Sequence, residues 1–344
     1  MKKLCLIIIM LLTLSTIAES LRLSGSHALY LDANGSVWAW GSNIKGESVY
    51  DSDAERVLEP QVVFTDALAI AAGKYFSMAL NSKNDLYIWG GESEPKLIAG
   101  SVIALDACDE LAGYVSANGK AYMYVNDEST LIAEGCSDIA IGMDFALLLY
   151  PNGDVYKYSD EEPAKVLDGC TDIAAYGETC LYLKTDGSVY ISGASANDGR
   201  LLSSYVAQID TPFYTGLKAD ALVPGLSCSG VITQGELWVW GAIYSYMTAY
   251  NDSGDSAVLN DGILISYGAT PVMLYQNVAA AAFGDAFAVV LKDDGTLLAW
   301  GSNESGQAGA GYTKVELYED EDGEYEAVLT ESAQCLFPNT ISCE

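Results

Sequence analysis

The chain has 344 residues, half of them hydrophobic, with 33 glycines, 8 prolines and a formal net charge of −31. That is apolar material for two average domains or one large ring or barrel, and the absence of a long low-complexity tract excludes a disordered chain. So negative a surface repels nucleic acid and anionic membranes. Solubility outside the cell is its ordinary consequence.

The chain opens on MKKLCLIIIMLLTLSTIAES. Lys2 and Lys3 precede an apolar run, Leu4 to Leu14, and Thr16-Ile17-Ala18 offers a small-residue cleavage site. This reads as a secretory signal over residues 1–18; a retained anchor is the alternative, but the run is short for a bilayer. Cys5 lies at the start of the apolar core, where a lipoprotein cysteine would not sit. Loss of the two lysines takes the charge from −31 to −33. No later segment is long and apolar enough to span a membrane, so the mature chain, residues 19–344, is expected to be secreted, soluble and monomeric, without membrane insertion.

A tight turn followed by an alternating strand then recurs seven times. The copies are DANGSVWAWG, SKNDLYIWG, SANGKAYMY, YPNGDVYKY, KTDGSVYIS, ITQGELWVWG and KDDGTLLAWG. Their turns centre on Gly35, Asn84, Gly119, Gly153, Gly187, Gly235 and Gly295. Asn-Gly and Asp-Gly between strands specify a hairpin turn with positive φ, and Asn is the best non-Gly substitute. Three residues on stands Trp38, Tyr87, Tyr122, Tyr156, Tyr190, Trp238 or Leu298, and two further on Trp40, Trp89, Tyr124, Tyr158, Ser192, Trp240 or Trp300. A spacing of two puts both columns on one strand face. The residues between them are mostly apolar, so both faces are covered.

A second apolar run precedes each turn, from HALYL in the first copy to FAVVL in the last. The shortest repeats are 34 residues apart, room for about four short strands. Four-stranded antiparallel sheets with two apolar faces are best buried by radial closure. The expected fold is therefore an all-β, seven-bladed propeller.

The stretch FGDAFAVVLKDDGTLLAWGSNESGQAGAG and its partner WGSNIKGES resemble the repeat of the regulator of chromosome condensation family. Copies one and seven match well, two and six in part; three, four and five keep only the turn and the aromatic columns. The resemblance implies a seven-bladed propeller whose termini close one blade. Nucleotide exchange on a chromatin-bound GTPase does not carry over to an exported acidic chain. Secreted bacterial members, among them a β-lactamase inhibitory protein, are similar in build and imply binding through loops.

Long connections follow copies one, five, six and seven, which are consecutive on a closed ring, and should gather on one rim. GAIYSYMTAYNDSGD carries Tyr244, Tyr246 and Tyr250; GYTKVELYEDEDGEYE carries Tyr312 and Tyr318. Tyrosine gives large contact area at low entropic cost, so these five are the candidate binding residues for an extracellular protein or glycan. Packing against the blade edges is the plainer alternative. The acidic run Glu319 to Glu326 is rich in oxygen ligands, but the helix-loop-helix calcium pattern is absent; no metal or cofactor is expected.

With Cys5 removed, seven cysteines remain, without a C-x-x-C pair and with one histidine, His27, so a zinc site is not expected. Most should be small buried hydrophobes; Cys335 and Cys343 are candidates for a disulfide, and the pairing stays open. There is no G-x-S-x-G elbow or P-loop. The expected function is a non-enzymatic secreted scaffold presenting the loops of blades 5, 6, 7 and 1. The alternative is an extracellular glycosidase-like hydrolase with a carboxylate pair on that rim.

Overall fold

A computed structural model of the chain describes residues 20–91, 93–159, 162–195, 199–203, 206–244, 256–258, 264–285, 287–309, 315–320 and 323–335. All regular elements among them are strands, arranged in seven antiparallel sheets. The first three strands of each sheet follow chain order from the axis outwards, and the next strand pairs outside them. Blade 1 comprises Ser20–Ser24, His27–Leu31, Val37–Ser42 and Arg56–Phe64. The other inner strands are Ala67–Ala72, Val102–Cys108, Asp138–Ile141, Cys170–Tyr176, Ala221–Pro224 and Val278–Phe283. Each packs on the next, and the last packs on Ser20–Ser24, closing the ring. The protein is a seven-bladed β-propeller.

The repeated turn sets both the hairpin and the step to the next blade. Gly35, Gly119, Gly153, Gly187, Gly235 and Gly295 have φ between 74° and 85°, and Asn84 has φ 63°. This left-handed region costs a residue with a Cβ roughly 1–2 kcal/mol. The carbonyl of the turn residue then accepts the amide that opens the next blade: Ala67 N to Gly35 O, Val102 N to Asn84 O and Cys136 N to Gly119 O, each at 2.9 Å. One residue thus reverses the chain and pins two sheets together.

The alternating third strand faces two neighbours. Trp40 packs with Leu21, Tyr30, Phe287 and Val289, towards blade 7. Its neighbour Ala39 packs with Ile70, Ala79 and Trp89, towards blade 2. Trp240 of blade 6 likewise joins Leu181, Val189 and Ile191 of blade 5. The outer pairing slips register at Trp38, Tyr87, Tyr122, Tyr156, Tyr190 and Trp238. Such bulges raise local twist at the column of half-buried aromatics.

Ser20–Ser24 opens blade 1 as its inner strand, with Leu21 and Leu23 buried between blades and Arg22 directed to the axis, and Gly323–Cys335 is an outer strand of blade 7. Residues 336–342, the end segment expected to close the ring, lie outside the described residues. Blades 6 and 7 differ from the four-stranded expectation by a fifth strand. Ser256–Val258 pairs with the 13-residue strand Leu264–Gln276, and Val315–Asp320 pairs with Gly323–Cys335.

Gly119→Ala should lower stability by about 1–2 kcal/mol in urea unfolding, because the added Cβ must sit at φ +80°. Asn84→Gly should leave stability equal or higher. Equal behaviour of the two variants would refute the role given to the turn.

Candidate binding face

In every blade the third-to-outer connection leaves on the same face as the inner-to-second turn, because the sheets are antiparallel meanders. The long connections of blades 1, 5, 6 and 7 therefore share one face, opposite the Gly35-type turns. Of the five tyrosines singled out, Tyr244 ends strand Glu236–Tyr244 opposite Ile265, and Tyr318 pairs with Tyr325 in the blade 7 hairpin. Tyr246, Tyr250 and Tyr312 lie outside the described residues. Of the acidic run after Tyr318, Glu319 and Asp320 pair with Glu324 and Gly323 in that hairpin, and residues 321–322 lie outside the described residues.

The described part of this face has a recurrent construction. In blade 1 the Asn43 amide donates to the carbonyls of Val49, Ser52 and Ala54, and its Oδ1 accepts from Ser48 N and Val49 N. Glu47 is buried; it accepts from Ser42 Oγ at 2.6 Å and from Lys45 N at 2.7 Å. In blade 7 Asn303 accepts from Ala308 N, and Gln307 bridges Ser305 N and Ser302 Oγ. The phrase W-G-S-N-x-x-G-(E/Q) is thus a loop that satisfies its own polar groups.

The loop's outward carbonyl serves the next blade. Trp40 Nε1 donates to Gln307 O at 2.8 Å, and Trp240 Nε1 to Arg200 O at 2.9 Å. Between blades 1 and 2 the Glu47 carbonyl accepts Ser77 Oγ at 2.7 Å instead, and Trp89 Nε1 has no partner. The following residue plugs the seam: Val49, Leu201 and Ala308 are buried. His27 sits beside this clamp with Nε2 3.0 Å from Ser77 Oγ, and burial pushes its imidazole down to about 4, so it is neutral. Sequence reading missed this clamp because its donor and acceptor lie 267 residues apart in the Trp40–Gln307 case.

The axis holds a lumen of about 200 Å³ between the inner strands. Arg22, Asp106, Asp138 and Asp172 face it. Asp106 Oδ2 accepts from Ile141 N of the neighbouring blade at 2.8 Å; Asp138 and Asp172 accept from the amides of Ile139 and Ile173. Removal from bulk water pushes Asp106 and Asp138 up to about 6 and raises Asp172, against the attraction of Arg22. Over the mouth, Tyr176 Oη donates to Asp285 Oδ1 at 3.1 Å, Gly177 N to Cys108 Sγ, and Met143 N to Gly177 O. Sequence reading did not single out these acids among 47.

Among the described residues no three His, Cys, Asp or Glu side chains form a metal-binding set. Cys108, Cys136, Cys170, Cys180 and Cys228 are buried and form no disulfide, and burial raises the thiol pKa of the first four. Cys343 and the Cys335 side chain lie outside the described residues.

Ring, turn and interblade clamp together define a loop-clamped seven-bladed propeller. The Regulator of chromosome condensation (RCC1) repeat matches residues 22–47 and 278–307, in the two blades that carry the full clamp phrase. The chain is an RCC1-like seven-bladed propeller. Human "RCC1 domain-containing protein 1" is 35% identical over 86 residues, which span 23% of this chain and 22% of that protein. Prp20p of Saccharomyces cerevisiae, studied for its binding to Gsp1p and histones, is similar in structure with a TM-score of 0.73 and 16% identity, over 90% of this chain and 88% of that one. The ectodomain of the Physcomitrella patens receptor kinase CR4 has a TM-score of 0.55 and 17% identity, over 88% and 76% respectively. At these identities the two structures share the fold alone.

Trp40→Phe strands the Gln307 carbonyl and should cost about 1–3 kcal/mol by chemical denaturation. Trp89→Phe, which removes no hydrogen bond, should cost clearly less; equal losses would sink the clamp. A second test concerns the lumen. The folded carboxyls keep their proton to about 6 and unfolded ones only to the ordinary value, so their contribution improves as pH falls through 6 and is complete below that ordinary value. The neutral His27 works in the opposite direction. Asp138→Asn should therefore melt above the parent chain at about pH 8, with the gap closing by about pH 4. A gap independent of pH would refute the burial penalty.

Proposed function

We propose that the chain is an exported, non-enzymatic binding scaffold that holds the long connections of blades 5, 6, 7 and 1 against an extracellular protein or glycan. The carrying observation is the common face of the third-to-outer connections, with extra strands in blades 6 and 7. Tyr244, Tyr246, Tyr250, Tyr312 and Tyr318 are the contact residues of this reading. Prp20p is known by its binding to Gsp1p and histones; the acidic charge of this chain disfavours nucleic acid as its own partner. Export rests on residues 1–18 as a signal, and the ectodomain resemblance is in keeping with it. The monomeric state belongs to the same proposal.

The test is a pull-down with residues 19–344 from the extracellular milieu of the source cells, identified by mass spectrometry. Tyr244→Ala, Tyr246→Ala and Tyr250→Ala together should abolish capture without moving the melting temperature. Capture that survives the triple change refutes the assigned surface. Turnover of chromogenic glycosides would favour the hydrolase reading in its place.

A further inference from the structure

Clamp loops fill the seam on the loop face between blades 7 and 1, 1 and 2, and 5 and 6. The corresponding seams between blades 2 and 3 and between 3 and 4 are open. Blade 2 turns from Leu86–Gly90 to Ser93–Ala99 across two residues, and blade 3 turns through Asn126 and Asp127. Asn126 and Asp127 line the first groove and not the second. What remains is a groove of about 600 Å³ over Tyr124 and one of about 440 Å³ over Tyr158. Tyr124 and Tyr158 occupy the positions that Trp40 and Trp240 hold in their blades.

Apolar and polar groups share the groove walls. Phe76, Ile88 and Tyr124 line the first; Leu111, Met123 and Phe145 line the second. Tyr75 and Met143 stand exposed at the mouths. Lys96 Nζ reaches from blade 2 to Asp127 Oδ1 of blade 3 at 3.0 Å, and Tyr124 Oη donates to the same oxygen at 2.7 Å. Lys157 Nζ lies 3.9 Å over the Phe145 ring.

The chain itself supplies the pattern of a fitting occupant. Each filled seam takes a loop that is reversed at a glycine of positive φ, Gly46, Gly199 or Gly306, presents the next residue's carbonyl, and buries Val49, Leu201 or Ala308 nearby. We propose that the two open grooves bind a loop of a partner protein with this chemistry: a glycine turn, an outward carbonyl and a following small aliphatic side chain. This site lies on the short-loop arc and stands independently of the long-loop surface.

The probe is a cyclic peptide of the chain's own sequence SNESGQAG, residues 302–309, titrated into residues 19–344 by calorimetry. Saturable binding is expected, with a scrambled cyclic peptide inert. Lys96→Trp and Thr130→Trp place an indole into one groove each from exposed outer-strand positions. Each should remove one class of sites, the pair should weaken binding at least tenfold, and melting temperatures should stay at the parent value. The triple tyrosine variant should bind the peptide normally, which separates this proposal from the long-loop reading. No binding by the parent chain, equal binding of the scrambled peptide, or full binding by the doubly blocked chain would overturn it. So would saturation of the grooves by oligosaccharides that the peptide cannot displace.

Discussion

The ring depends on how each blade is held to the one before it, and the most specific link is an indole N–H on a loop carbonyl. A buried Trp needs an acceptor or loses the hydrogen bond it had in water. In this chain the acceptor comes from the preceding blade: Gln307 for Trp40 and Arg200 for Trp240. This explains the distribution of Trp in the last aromatic column. It stands in blades 1, 2, 6 and 7, each of which follows a blade with a long connection. Blade 5 illustrates the reverse case. It has Ser192 in the column, satisfied locally by Tyr182 Oη at 2.9 Å, yet keeps the loop that serves blade 6. Trp89 is without an acceptor because Ser77 of its own blade takes the Glu47 carbonyl, so at this seam a hydroxyl makes the link in place of the indole.

The lumen illustrates a different balance. Three carboxylates and one guanidinium face a confined space where charge is poorly solvated. Hydrophobic side chains would be easier to bury, but the inner strands of a seven-bladed ring do not meet at the axis. Asp138 and Asp172 accept from the next amide of their own strands, whereas Asp106 reaches across to Ile141 of the next blade and so joins two inner strands that share no ladder. The raised proton affinity of these acids is the cost of that arrangement, and Arg22 offsets only part of it.

How much could be read from the sequence follows from how local each signal is. The turn needs one residue of positive φ in a fixed frame, so Gly35 to Gly295 and the substitute Asn84 were legible at once, and blade number with them. The aromatic columns follow a period of two within one strand. The clamp, by contrast, joins residues far apart: its full phrase stands in blades 1 and 7, yet Trp89 makes no hydrogen bond to the blade 1 loop, and Trp240 is served by a blade 5 loop that lacks the phrase. The lumen acids were illegible because no local pattern distinguishes Asp138 from any other surface aspartate. The long-loop tyrosines were chosen on composition, which gives contact chemistry without position.

The seam between the last blade and the first illustrates how far side chains carry the ring. Leu21 and Leu23 alternate with Arg22 in the inner strand of blade 1, and among the described residues this seam is packed by side chains. Leu21, Leu23, Tyr30 and Trp40 pack against Phe287, Val289 and Leu291, and each such side chain contributes about 1.5–3 kcal/mol on full burial. The Trp40–Gln307 bond and the contact of Gly306 with Val57 and Leu58 add direction to that apolar seam. A Cβ on Gly306 would come within 2.7 Å of Leu58 Cδ2, so the clamp loop of blade 7 is fitted to blade 1. The blade 7 loop thus gives this apolar seam both a directed hydrogen bond and a fitted contact.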